Sequence, residues 1–265
     1  MTRQTVFFDG LIGPTYHFGG LSFGNVPSMT HQSMVSRPKK AALEGLEKMR
    51  VMSSYGLDQY YVPFQKRDYV GLLKQSGFSS IKEAYTFNPG LVSAVFSASS
   101  AWVANMGTFT PSQDTSDGKI HVTPANLVTC FHRQLEVPYT MSFLQGLLES
   151  PFLFSLHDPV PASFGDEGAA NMIRLSSREG EGVYVFVYGR DARHMNTTHF
   201  PARQFKESWE WVSLKHGLNS KNVFYAQQDS AVIEKGVFHH DVIGFGTQDV
   251  LVLHEQAFVD QGVVV

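Results

Sequence analysis

The chain has 265 residues, 43% of them apolar, 13% aromatic and 17% charged, which excludes a disordered, collagen-like or heptad-repeat protein. A net charge of −3 supplies no basic field for nucleic acid or an anionic membrane, so neither is an expected partner. One cysteine, Cys130, rules out an internal disulfide framework and fits a reducing compartment. With no export signal in Met1–Gly10, the expected location is the cytoplasm.

In chain order, Thr5–Phe8 reads as a strand stopped by a turn at Asp9-Gly10, and a glycine-rich loop runs from Leu11 to Arg37. Pro38 to Tyr55 carries Ala42, Leu46 and Met49 at helical spacing, with Pro38 in the first turn and Gly56 just past the end. Tyr60–Val62 is a short strand and Tyr69–Gln75 a short helix ended by Gly77. Pro89 to Gln113 is the least charged stretch. Its polar residues, Ser93, Ser97, Ser99, Ser100 and Asn105, argue against a membrane span, and it reads as a buried strand followed by a polar loop. Trp102–Ala104 and Ile120–Val122 read as strands flanking a polar connection.

Met141, Leu144 and Leu148 put an apolar stripe on a helix. Val183–Tyr188 is a continuous apolar run, the pattern of a central strand. Phe205, Trp209 and Val212 mark a helix closed by Gly217. Val223–Ala226, Val237–Ile243 and Val250–Leu253 complete the strands, so the chain is α/β with recurring strand–helix–strand units. The apolar ending, Gln256 to Val265, has no capping helix, and the chain is expected to be a fragment.

Sharp nucleotide, elbow-serine and zinc-helix motifs are absent. Four segments instead concentrate functional side chains. Gly165-Asp166-Glu167-Gly168 places two carboxylates between glycines, suited to ordering an imidazole, holding a guanidinium, or merely capping a helix. Phe238-His239-His240-Asp241, read as a strand, puts His239 and Asp241 on one face and His240 on the other. That split disfavours a metallohydrolase built on His239, His240 and Asp241. Arg133, in Phe131-His132-Arg133, and Arg203, at a helix start, are forked donors for carboxylates or solvated surface charges. Cys130 beside His132 is a thiolate–imidazole pair, a pair of metal ligands or a buried inert thiol, with the last the commonest.

These segments resemble the succinylarginine dihydrolase family. The likeness is carried by Phe8-Asp9-Gly10-Leu11, Gly20-Leu21-Ser22-Phe23-Gly24-Asn25, Trp102-Val103-Ala104-Asn105, Ala125-Asn126-Leu127, Phe131-His132-Arg133, Gly165 to Asn171, Pro201-Ala202-Arg203-Gln204 and Gly236-Val237-Phe238-His239, in one order along the chain. The resemblance implies a pentein α/β propeller of ββαβ modules, incomplete here with about three of five modules present, as one truncated domain over 1–265. It implies hydrolysis of N2-succinyl-L-arginine to N2-succinyl-L-ornithine, two ammonia and carbon dioxide, without cofactor, in arginine catabolism by the succinyltransferase route. By resemblance His239 is the acid/base and Glu167 its acidic partner, while Asp241 grips the guanidinium. Gly19, Gly20, Leu21, Ser22, Phe23, Gly24, Asn25, Ser28, Asn105, His132, Arg133 and Arg203 match substrate-contacting positions.

The match departs from the family at His240, Met172 and Cys130, which stand in place of Asn, His and Lys. The family's cysteine nucleophile lies near its C-terminus and has no match in 1–265, so this chain is expected to be an inactive N-terminal portion. The alternative is a relic that only binds acyl-arginine or a partner. The expected partner is the small-molecule substrate, with a homodimer the assembly to test.

Overall fold

A computed structural model describes residues 6–99, 103–177, 180–193 and 198–263. Thr5, Trp102, Val264 and Val265, on which parts of the reading above fall, lie outside the described residues. The described chain forms two compact units, one of residues 1–106 with 130–136 and one of residues 107–129 with 137–265.

In the first unit, β1 (Val6–Gly10) pairs in parallel with β2 (Asp58–Val62), from Val6↔Asp58 to Gly10↔Val62. The turn expected at Asp9-Gly10 is therefore strand. Asp9 accepts the Gly10 N–H at 3.0 Å and an ion pair from Lys48, so local bonding does not end the strand there. The loop between contains one short helix, α1 (Val26–Thr30), and then α2 (Pro38–Ser54), with Pro38 in its first turn and Gly56 at φ +78° beyond its end. Leu43 and Leu46 of α2 are exposed, and none of its residues is buried.

Three capped helices follow. α3 (Tyr69–Gln75) is capped by Asp68, α4 (Ile81–Phe87) by Ser80 and α5 (Pro89–Phe96) by Asn88. The strand expected after Pro89 is thus helix, because Asn88 accepts the Leu91 N–H at 3.1 Å and Pro89 starts the first turn. Leu73, Ala84 and Val95 make the core of these helices, and Tyr69 stacks on Phe96 at 4.5 Å. Val103–Met106 is also a helix, α6, rather than the expected strand, and the strand begins only at Gly107. α7 (Phe131–Gln134) completes the unit.

The second unit repeats one arrangement. β3 (Gly107–Thr110) and β4 (Ile120–Pro124) are antiparallel, α8 (Val137–Leu147) follows, and β5 (Phe154–Leu156) returns parallel to β4. β6 (Met172–Ser176) and β7 (Gly182–Tyr188) are antiparallel, α9 (Lys206–Lys215) follows, and β8 (Val223–Gln227) returns parallel to β7. The order strand, strand, helix, strand therefore occurs twice, with the second strand central each time. After α10 (Ser230–Glu234) come a hairpin of β9 (Gly244–Thr247) and β10 (Val250–Leu253) and a closing 3-10 turn, Gln261–Val263. The protein is a mixed α/β protein built from small sheets.

The continuous apolar run of β7 is explained by burial on both faces. Tyr184 and Phe186 pack with Val160, Trp209 and Val212, while Val185 and Val187 pack with Ile173, Ala226, Ala257 and Phe258. Phe186 stacks on Trp209 at 4.5 Å, and the indole N–H donates to the Val187 carbonyl at 2.8 Å. Trp209→Phe keeps most of the stacking but leaves that buried carbonyl without its donor. It should destabilise the protein by about 1–3 kcal/mol, read from the urea midpoint; a shift of a few tenths would show the bond to be dispensable.

Among the described residues, no helix is long and apolar enough to cross a membrane.

Candidate active site

The expected site residues sort by unit. In the first unit lie the glycine-rich loop, Asn105, His132 and Arg133. The loop is cross-braced through Ser28, whose hydroxyl donates to the Phe18 carbonyl at 2.7 Å and accepts from the Ser22 N–H at 3.3 Å. The Ser28 carbonyl accepts from the Gly20 N–H at 2.6 Å, and the Asn25 side chain accepts from the Ser28 N–H at 3.1 Å, capping α1. Gly20 sits at φ +78°, where a side chain would be strained. Gly19 through Asn25 thus form a sequence of turns with a defined backbone, with Phe23 exposed.

Cys130 is buried at the N-terminus of α7, its Sγ 3.8 Å from the Ser22 hydroxyl. His132 and Arg133 follow on the same turn, both buried. The Arg133 guanidinium donates to the Glu136 carboxylate and to the Asn105 carbonyl. Glu136 also accepts the Ser99 N–H at 2.6 Å and lies 3.8 Å from the Arg67 guanidinium. Sequence reasoning missed Glu136. Its signal was the i, i+3 spacing from Arg133, which the turn after α7 brings into an ion pair.

The second unit gathers the remaining residues. Gly165 adopts φ +79° against the Phe205 ring, where an added Cβ would lie 2.2 Å from a ring carbon. The next two residues are then held by their backbones. Asp166 forms a parallel bridge with Gln204, and Glu167 an antiparallel one with Asn126, its N–H and C=O each bonded at 3.1 Å. Asp166 is not a helix cap; its carboxylate accepts the N–H and hydroxyl of Thr129 at 2.8 and 2.5 Å. Burial pushes this carboxyl above its ordinary range, against the pull of the Thr129 donors and the charges of Arg203 and Arg190. Glu167 is fully buried, and Thr108 donates its hydroxyl to Oε1.

The segment Val237–Ile243 is not the expected strand. His239 is extended, with φ −135° and ψ 155°, and His240–Val242 form a 3-10 turn. The cause is nonlocal: the His240 N–H donates at 2.8 Å to the Asn171 side chain rather than to a neighbouring strand. The alternation that placed His239 and Asp241 on one face therefore does not hold. His239 and His240 are buried while Asp241 is exposed. The His240 ring stacks on Phe258 at 5.0 Å, and neither ring nitrogen has a hydrogen-bond partner among the described residues. Burial lowers its pKa to about 4, so it stays a neutral ring. Among the described residues, no group of three or more His, Cys, Asp or Glu is arranged to hold a metal ion.

The Asn171–His240 bond ties the turn after Glu167 to the turn after His239. Arg203 joins them from the third side, adjoining Gln204 of the Asp166 bridge, with its guanidinium 5.6 Å from the Phe238 ring centroid. The three segments that carry Asp166 and Glu167, His239 and His240, and Arg203 are thus tied together in one unit. Nearby, the Arg190 guanidinium stacks on Phe205 at 4.1 Å and contributes to the field on Asp166.

Such a buried set of acids, imidazoles and an arginine on an α/β frame is the equipment of acid–base or guanidinium chemistry. The family described as succinylarginine dihydrolase matches residues 2–265, and the chain belongs to it. The N-succinylarginine dihydrolase of Erwinia tasmaniensis is 45% identical over 270 residues, covering 98% of this chain and 61% of the relative. That of Aliivibrio fischeri is 43% identical over 265 residues, covering 96% and 60%, and N-succinylarginine dihydrolase 2 of Caulobacter vibrioides 46% over 261, covering 96% and 58%. The chain thus spans about three fifths of the length of these relatives.

Proposed function

We propose that this chain supplies acid–base and substrate-holding groups of a hydrolase acting on the guanidinium of N2-succinyl-L-arginine, the activity that gives its relatives their name. The observation that carries the reading is the Asn171–His240 bond, which gathers the Glu167 and His239 segments in one unit with Arg203. The repeated strand–strand–helix–strand order supports the pentein reading, as modules of that fan.

The chemistry explains the side chains. A guanidinium carbon is a poor electrophile because three nitrogens share its charge. A carboxylate, here Asp241, grips the planar cation in a forked contact while a thiolate adds to the carbon. His239, with Glu167 as acidic partner, gives a proton to departing ammonia and then takes one from the water that attacks the amidine. Two waters are consumed, and succinylornithine, two ammonia and carbon dioxide leave. Arg203, in the same unit as Glu167 and His239, suits a carboxylate of the substrate. Cys130 is a poor candidate for the thiolate because it is 2% exposed. The nucleophile in this reading lies outside residues 1–265, and these residues alone bind without turning over.

Calorimetric titration tests the proposal. N2-succinyl-L-arginine should bind the chain and free arginine should not, and Arg203→Ala should weaken binding about tenfold or more. Equal affinity for the two ligands would sink the reading. Ammonia release abolished by Cys130→Ser would overturn the placement of the nucleophile.

A further inference from the structure

Glu167 is held at two points, its backbone and its carboxylate, by different segments. Its backbone is locked to Asn126, just after β4, and Oε1 accepts the hydroxyl of Thr108 on β3 at 2.5 Å. Thr108 is fully buried and its backbone is fixed by the ladder opposite Thr123, so its hydroxyl has a set origin. A threonine on a strand is also stiff about its first side-chain torsion. The next residue on the same face of β3, Thr110, meets the His216 ring at 2.7 Å, and Thr123 meets the other ring nitrogen at 2.8 Å. His216 clamps these two threonine side chains, which fixes β3 and β4 beside Thr108.

We propose that Thr108 is a positioning residue for Glu167: its hydroxyl fixes the orientation of the carboxylate and holds it in the ionised form. This rests on the reading of Glu167 as the acidic partner of His239. A hydroxyl can donate to either form of a carboxyl group, but a charge-assisted bond to the anion is the stronger, so it favours ionisation. A carboxylate so fixed presents its charge in one direction instead of sampling several rotamers.

The test is a carboxyl-carbon NMR titration of the whole chain, with the Glu167 signal assigned by Glu167→Gln. Thr108→Val and Thr108→Ala, which lack the hydroxyl, should raise the Glu167 pKa by about one to two pH units. Thr108→Ser, which keeps the hydroxyl, should leave it near the parent value, even where its melting temperature falls. A merely structural threonine would move the melting temperatures and not the titration. A folded Val or Ala variant with an unchanged Glu167 titration overturns the proposal, as does a Ser variant that shifts as far as Val. Should neither hydroxyl-free variant fold, the parent decides: the Thr108 hydroxyl proton must show slow exchange and a deuterium isotope shift on the Glu167 carboxyl carbon, and its absence overturns the proposal. The reading of Glu167 itself fails separately, if Glu167→Gln leaves the His239 imidazole pKa where it was.

Discussion

Asp114→Ala should destabilise the protein by about 3–5 kcal/mol, the scale of removing one partner from a buried ion pair. Asp114 lies in the loop after β3, and its side chain is 2% exposed. It accepts two bonds from the Arg174 guanidinium, at 2.5 and 3.1 Å, one from the Gly182 N–H at 2.7 Å and one from the Tyr184 hydroxyl at 2.5 Å. One carboxylate thereby joins β6 and β7 to the end of β3, and its loss strands a guanidinium and two further donors. Burial alone would lift this carboxyl; the bonds from Arg174, Tyr184 and Gly182 outweigh it and hold the pKa below its ordinary value. The contribution is therefore complete above the unfolded carboxyl value near 4 and is lost as pH falls through the lower folded value. Urea midpoints at pH 7 measure the loss, and a change under about 1 kcal/mol would refute the account. Asp114→Asn combined with Arg174→Met should be milder than Asp114→Ala, because no uncompensated charge remains buried.

Between pH 7 and 4.5 a second loss of stability should appear, before any carboxylate of this kind is protonated. His216 is fully buried, with one ring nitrogen on the Thr110 hydroxyl and the other on Thr123. The His157 and His121 rings lie 5.1 and 5.5 Å from it. Burial first, and then the potentials of His157 and His121, lower its pKa to about 3. His240 is lowered to about 4 by burial. In the unfolded chain each histidine titrates near 6.5, so below that pH the unfolded state binds more protons and stability falls. Each ring should remove about 2–3 kcal/mol by pH 4.5, at about 1.4 kcal/mol per pH unit. Asp166, whose carboxyl is raised by burial, works in the opposite sense as the pH enters the carboxylate range. Urea midpoints measured from pH 7 to 4.5 should fall steadily, and His216→Gln should flatten the slope. A midpoint independent of pH over that range would show that these rings take up protons while folded.

Several elements are determined by the chain itself. The apolar run of β7 predicts a strand buried on both faces because no side of it could face water. Pro38 and Gly56 bracket α2, and Gly77 ends α3, because φ is fixed by a ring in one case and freed by the missing side chain in the others. Asn88-Pro89 likewise marks the start of α5, a local signal that the low charge of the stretch outweighed in the strand reading.

What the sequence could not decide is where long-range partners override local preference. Val237–Ile243 has a strand's composition, yet the Asn171 amide claims the His240 N–H across 69 positions and the segment turns. Asp166 looks like a helix cap until Thr129, 37 residues away, supplies its donors. Arg133 is a plausible surface cation from its neighbours alone, and only folding sets it against Glu136 and the Asn105 carbonyl. Each is a buried polar group, and burial obliges such a group to find a partner wherever the chain provides one. Short-range pattern therefore sets elements such as β7 and α2, while tertiary bonding decides which polar side chains meet and where a segment of strand composition turns instead.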